Sequence, residues 1–286
     1  MRAVLFDFAE TLFFPEEMPQ RIRGGLSLLG NGQAYGPEID RIADEIESAF
    51  ESEVYLATKD RRDLSAAYHR AAFTAAFSAA EGIFEGLADA MYDRLTDPAS
   101  WTPFPDAKPT LDSLHQHGIR VGVVSNIGFD IRPIFSHHGL SDFVEAFALS
   151  FEHGIIKPDP ALFEIAMRAL DVRPMETVMV GDNVADSGAV LAGARVYLLP
   201  PVVLGTERGL AEILTICRVW IPAQPRRPPL RPSRCLTETQ RTRPSAIGHQ
   251  HREDEEGSRN PDSLTPQNLG QGWPWPSTVM AGAPTE

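Results

Sequence analysis

Cysteine is nearly absent: Cys217 and Cys235 are the two in 286 residues. Two thiols make no disulfide framework, and both are expected outside the globular part. Its core must then stand on packing alone, which suits a reducing cytoplasm. Lysine is almost as scarce, with Lys59, Lys108 and Lys157 the three in the chain. No apolar stretch approaches the ~20 residues that span a bilayer, so no membrane is expected. The start does not read as a signal peptide, because Asp7 and Glu10 interrupt its apolar run. Positive charge is short as well, at a formal net charge of −13. From Cys217 onward nine arginines face seven acids, which leaves −15 on the preceding part. Such an acidic body argues against nucleic acid or an anionic membrane surface as a general partner.

The opening MRAVLFDFAETLFF organises what is present. AVLF is apolar and leads straight into Asp7, the pattern of a central strand in a parallel sheet. Ligands in such sheets bind at the carboxyl ends of the strands. On this stretch alone, Asp7 fits a turn cap as well as a site. Pro15 is expected to end regular pairing, and residues 26–36, with three glycines, to form a loop.

From Pro37 the pattern turns helical. Ile39, Ile42, Ile46 and Phe50 recur at helical spacing. Tyr68, Ala72, Phe73, Ala76 and Phe77 make a second apolar face, and Phe84, Leu87, Met91 and Leu95 a third. Lys59, Arg61 and Arg62 read as a solvated inter-helix turn, against the sharper alternative of an anchor for a second anionic group. His69 reads as an ordinary surface or core histidine. Trp101 and the prolines at 103, 105 and 109 mark a return hinge. Helices at 110–117, 130–138, 160–170 and 185–194 then alternate with strands at 119–125, 146–149, 177–180 and 195–199. A weak helix follows at 207–214. That alternation predicts a doubly wound parallel α/β sheet. Beyond Cys217, eleven of the chain's 24 prolines and no sustained periodicity predict a disordered tail.

VGVVSN (121–126), IIKPDP (155–160) and VMVGDNVAD (178–186) each place polar groups at or just after an apolar run. An aspartate, a hydroxyl, a lysine and an acidic pair, in this order, resemble the four motifs of the haloacid dehalogenase superfamily. The resemblance covers residues 2–214. It implies a Rossmann-like core at 1–16 and 102–216, a helical cap at 17–101 that selects the substrate, and the tail at 217–286. It also implies that Asp7 is a nucleophile forming an aspartyl intermediate and that Lys157 is its charge partner. Thr11, Ser125 and Asn126 would hold the phosphoryl group. Mg²⁺ would sit on Asp7, the backbone carbonyl of Ala9 and Asp182, with Asp186 supporting it. The partner would be a small anionic molecule, phosphorylated or phosphonate-like.

One position departs from the family. Its phosphatases read Asp-x-Asp-Gly-Thr, whereas this chain reads Asp7-Phe8-Ala9-Glu10-Thr11. Alanine neither protonates a leaving group nor activates water, work typically worth ~10²–10⁴ in rate. Glu10 on an extended strand would point to the opposite face and not substitute. Phosphonate-cleaving members also read Asp-x-Ala and use a cap lysine, for which Lys59 is the one candidate. The 2-haloacid dehalogenases also lack the second aspartate but need no metal, which the Gly181-Asp182 pair argues against. A hydrolase impaired in acid–base catalysis is therefore the expectation. A non-catalytic binding or regulatory protein on the same fold is the alternative.

Overall fold

The computed structural model describes residues 1–31 and 36–219. In chain order the elements are β1 (Ala3–Phe6), β2 (Phe13–Pro15), α1 (Met18–Leu28), α2 (Gly36–Phe50), α3 (Glu53–Leu56), α4 (Ala66–Ala76) and α5 (Leu87–Thr96). Then come β3 (Trp101–Pro103), α6 (Ala107–Gln116), β4 (Arg120–Ser125), α7 (Arg132–His137), β5 (Ala146–Leu149) and α8 (Ser150–His153). The last are α9 (Pro160–Ala169), β6 (Thr177–Gly181), β7 (Arg195–Leu198) and α10 (Ala211–Val219). Five strands form a sheet in the order β5-β4-β1-β6-β7, with every pair parallel. This is the doubly wound α/β sheet the strand–helix alternation predicted.

β1 sits at the centre because both of its faces are covered. Val4 and Phe6 pack into one hydrophobic cluster with Val121, Val123, Val178 and Val180. Ala3 and Leu5 pack into the other with Val124, Met179, Leu162 and Phe163. A strand buried on both sides carries an unbroken apolar run, since the pleat sends alternate side chains to each layer. α9 closes the second layer. Asp159 caps it by accepting from the Ala161 N–H at 2.9 Å, and Pro160 occupies its first turn.

The helices α1 to α5 lie between β2 and β3. α1 was not expected, and its last residues, 26–28, fall in the stretch read as a loop. A Cβ on Gly25 would lie 2.9 Å from Leu87 Cδ1 and 3.1 Å from Met91 Cγ. The glycine lets α1 pack closely on α5, and that packing outweighs its propensity cost. Pro15 does not end pairing either. Phe13–Pro15 pairs antiparallel with Trp101–Pro103, so the expected hinge and the expected break form one two-stranded ribbon. Tyr68 is 56% exposed, so it leaves the apolar face expected for it, and His69 is buried, the core one of its two expected placements. Residues 184–190 form a 3₁₀ turn rather than a full α-helix. Cys217 is fully buried against the core through α10, so the expectation that both cysteines lie outside it is corrected there. Cys235 and the expected tail from 220 onward lie outside the described residues.

Gly188 fixes the last loop of the sheet. A Cβ there would meet the Pro158 carbonyl oxygen at 2.2 Å, backbone against backbone. Gly188→Ala should therefore lower stability by about 1–3 kcal/mol, the usual range for overpacking. An unchanged urea midpoint would show that the two loops do not abut.

Candidate active site

The carboxyl ends of β1, β4 and β6 bring the motif residues together. Asp7 follows β1, Ser125 ends β4, and Asp182 follows β6. Lys157 enters from the loop before α9. Its Nζ lies 2.9 Å from Asp7 Oδ2 and 2.7 Å from Asp186 Oδ1. Asp7, Asp182 and Asp186 offer oxygens that all lie within 4.8 Å of one another. The Phe8 N–H donates to Asp7 Oδ1 at 2.7 Å and fixes that carboxylate's rotamer. Asp186 fits so closely under β6 that a Cβ on Gly181 would sit 2.0 Å from its Oδ2. Glycine at 181 is the condition for Asp186 to reach the lysine.

The structure gives several motif residues more specific partners than the sequence did. Thr11 is fully buried, and its hydroxyl donates to Asp182 Oδ1 at 2.9 Å. That bond orients the carboxylate. Asn126 holds the lysine's backbone from both sides. Its Oδ1 accepts from the Lys157 N–H at 2.7 Å, and its Nδ2 donates to the Lys157 carbonyl at 3.1 Å. Asp186 also accepts from the Asn183 N–H at 3.0 Å, so it caps its own turn while pairing with Lys157. Ser125 is buried at the end of β4. Lys59 is exposed in its inter-helix turn.

Charge is unbalanced in this cluster. Three carboxylates face one ammonium, and two negative charges remain. Burial pushes Asp7 up to about 7; Lys157 opposes this, and Asp186 and Asp182 add to it. Burial also raises Asp182, against the hydrogen bond from Thr11. For Lys157, burial lowers the ammonium's pKa, but Asp186 and Asp7 outweigh it and the net shift is upward. The lysine stays charged and the carboxylates resist ionising together. The donor set is all oxygen, which fits a hard divalent cation such as Mg²⁺.

Glu10 departs from its expected geometry. It stands at φ 58°, in the left-handed region, rather than on an extended strand. Its Oε1 is buried without a hydrogen-bond partner. Burial first, and then Asp182, raise it to about 7, against Arg208. Arg208, 3% exposed, donates from Nε to the Glu10 carbonyl and from a terminal nitrogen to the Pro200 carbonyl at 2.6 Å. Asp106 accepts the Arg208, Gly209 and Leu210 N–H groups at 2.9, 2.9 and 2.8 Å. This clasp on the strained turn was missed in the sequence, where Arg208 lay in a weak helical stretch with no motif around it.

The helical insertion docks beside the same strand ends. The Ser150 hydroxyl donates to the Asp63 carbonyl at 2.6 Å and accepts from the Ile127 N–H at 2.9 Å. His69 packs so closely on Gly128 that a Cβ there would lie 2.1 Å from the His69 Cβ. His69 Nδ1 lies 2.9 Å from the Tyr92 hydroxyl, and burial lowers the ring's pKa to about 3. Arg61 is exposed as expected, but Arg62 is buried, which corrects the solvated-turn reading.

Together these features define a doubly wound α/β protein whose acidic cluster and lysine sit at the carboxyl ends of its central strands. A family model described as haloacid dehalogenase-like hydrolase matches residues 1–193, and the chain belongs to that family. A ribulose-1,5-bisphosphate 5-phosphatase of Halopiger xanaduensis is 36% identical over 100 residues, 34% of this chain and 42% of that protein. A phosphoserine phosphatase of Thermus thermophilus is 37% identical over 95 residues, 32% and 38% of the two chains. The chain thus matches less than half the length of these curated relatives. A solved dehalogenase shares the fold at a TM-score of 0.53 and 20% identity, covering 76% of this chain and 96% of that one. Among the described residues no helix is long and apolar enough to cross a membrane.

A buried carboxyl with a raised pKa destabilises the fold as it ionises. Glu10 binds its proton in the folded state up to about pH 7, against 4.5 ordinarily. The native state then holds more protons than the unfolded one, so stability falls as pH rises across that window. With a chelator present, Glu10→Gln should flatten the decline of stability between pH 4.5 and 7. The same slope in both proteins would place the Glu10 carboxyl in water.

Proposed function

We propose that this chain is a Mg²⁺-dependent hydrolase of the helical-cap type, acting on a small phosphorylated substrate through Asp7. The observation that carries the reading is Lys157, bridging Asp7 and Asp186 at 2.9 and 2.7 Å beside Asp182. The similarity to a ribulose-1,5-bisphosphate 5-phosphatase and a phosphoserine phosphatase supports the substrate class.

In this reading an Asp7 carboxylate oxygen attacks phosphorus and the bond to the leaving oxygen breaks. The group transferred rests on Asp7 as an acyl phosphate. Water then attacks that phosphorus, releasing inorganic phosphate and restoring the carboxylate. Lys157 neutralises charge on Asp7 and on the phosphoryl oxygens. The Ser125 hydroxyl and the Asn126 N–H serve the oxygens that gain charge. Thr11 holds Asp182, and Asp186 with Asn126 holds Lys157. Mg²⁺ would rest on Asp7, the Ala9 carbonyl and Asp182, where it supplies positive charge for the phosphoryl oxygens. The leaving oxygen and the attacking water find no acid or base at Ala9. Activity on aryl phosphates, whose leaving groups need little protonation, is therefore expected to exceed that on alkyl phosphates.

One observation favours a second reading. Glu10 Oε1 is buried without a hydrogen-bond partner, and burial first, then Asp182, raise the carboxyl to about 7. A carboxyl titrating near the working pH is suited to acid–base catalysis, so Glu10 is the group placed to replace the missing aspartate. Two variants separate the readings. If Ala9 leaves the step unassisted, Ala9→Asp raises alkyl-phosphate turnover by ~10²–10⁴ and Glu10→Gln leaves it unchanged. If Glu10 serves, Glu10→Gln lowers alkyl turnover and spares aryl phosphates. An inert parent and an inert Ala9→Asp variant, both binding Mg²⁺, would favour the binding or regulatory alternative.

A further inference from the structure

Arg62 is buried where the helical insertion meets the strand ends, at 9% exposure. Its Nε lies 3.4 Å from Asp63 Oδ2, and its guanidinium stands 4.8 Å from the centre of the Tyr55 ring. One terminal nitrogen, Nη1, is buried with no hydrogen-bond partner. A buried donor left unmade is costly, and more so when charged. Asp63 engages the guanidinium at one edge and leaves the Nη1 corner unpartnered.

The segment's position says what that corner can meet. Asp63 is tied through Ser150 to the backbone of Ile127, in the loop that follows Ser125 and Asn126 at the end of β4. Arg62, next to Asp63 in the chain, therefore lies on the part of the insertion that is tied to the loop after Ser125 and Asn126. Lys157 is held by Asp7 and Asp186, whereas Arg62 Nη1 is buried without a hydrogen-bond partner.

We propose that Arg62 seats a second anionic group of the substrate, so that the substrate is a small phosphomonoester that also bears a carboxylate or a second phosphate. This deepens the phosphate-hydrolase reading and rests on it. The planar fork of a guanidinium suits both carboxylate and phosphate. A buried arginine in this place selects by charge at the end of the substrate remote from the reacting phosphorus.

The test is calorimetric binding to the full chain with Mg²⁺ present. The probes are ethyl phosphate, 2-phosphoglycolate and ethanediol bisphosphate. The parent is expected to bind at least one of the dianchored probes ~10–100-fold more tightly than ethyl phosphate, the range for a charge-assisted hydrogen bond. The tighter of the two identifies the second anion. Arg62→Gln should erase that preference while leaving ethyl phosphate affinity unchanged. Arg62→Lys, which keeps the charge and loses the fork, should retain part of it and serves if the glutamine variant does not fold. Equal binding of the three probes by the parent overturns the proposal and leaves the phosphate reading standing. A variant that weakens all probes alike also overturns it, by making Arg62 structural. Failure of the parent to bind any of them removes both readings together.

Discussion

Three carboxylates cannot be held around one buried ammonium without another positive charge or a proton. Lys157 satisfies Asp7 and Asp186 directly, and Asp182 is left with the Thr11 hydroxyl. Ionising the full set in a buried place is costly unless charge is balanced. Burial raises the pKa of Asp7 to about 7, and the neighbouring Asp186 and Asp182 add to that against Lys157. In the proposed reading a divalent cation would offset the uncompensated negative charge, leave the carboxylates ionised and make Asp7 available as a nucleophile. Binding of metal and readiness for chemistry would then be one electrostatic event.

The fold supplies what this arrangement demands of the backbone. β1 lies between β4 and β6, so Asp7, Ser125 and Asp182 come to the same edge of the sheet. Gly181 and Gly188 keep Cβ atoms out of the space that Asp186 and the Pro158 carbonyl fill. Arg208, anchored by Asp106, grips the carbonyl of Glu10, whose left-handed backbone is unfavourable for any side chain. Where the resembled family has glycine, this chain holds a strained glutamate by an added clasp.

Much of this was legible in the sequence. Apolar runs ending in Asp7, Ser125 and Gly181-Asp182 located the strands, because a strand covered on both faces has nowhere to put a polar residue. The all-helical stretch before Trp101 was readable from its 3.6-residue period. Other features depend on partners distant in the chain. α1 went unread, and the close approach that Gly25 allows is visible only once α5 lies against it. The β2–β3 ribbon joins segments that each looked like a break. Arg62 sits in a run of charge that reads as solvated, and its burial comes from Tyr55 and Asp63 around it. Glu10 was read on an extended strand, and a φ of 58° ends the strand's alternation there.

The central claim is that the Asp7, Asp182 and Asp186 cluster is completed by a divalent cation. Titration calorimetry with Mg²⁺ near pH 7, in buffers of different ionisation enthalpy, tests it most directly. The account predicts one site per chain, release of protons as the raised carboxyls ionise, and loss of both in Asp182→Asn. Equal affinity in parent and variant, or binding without proton release, would contradict it.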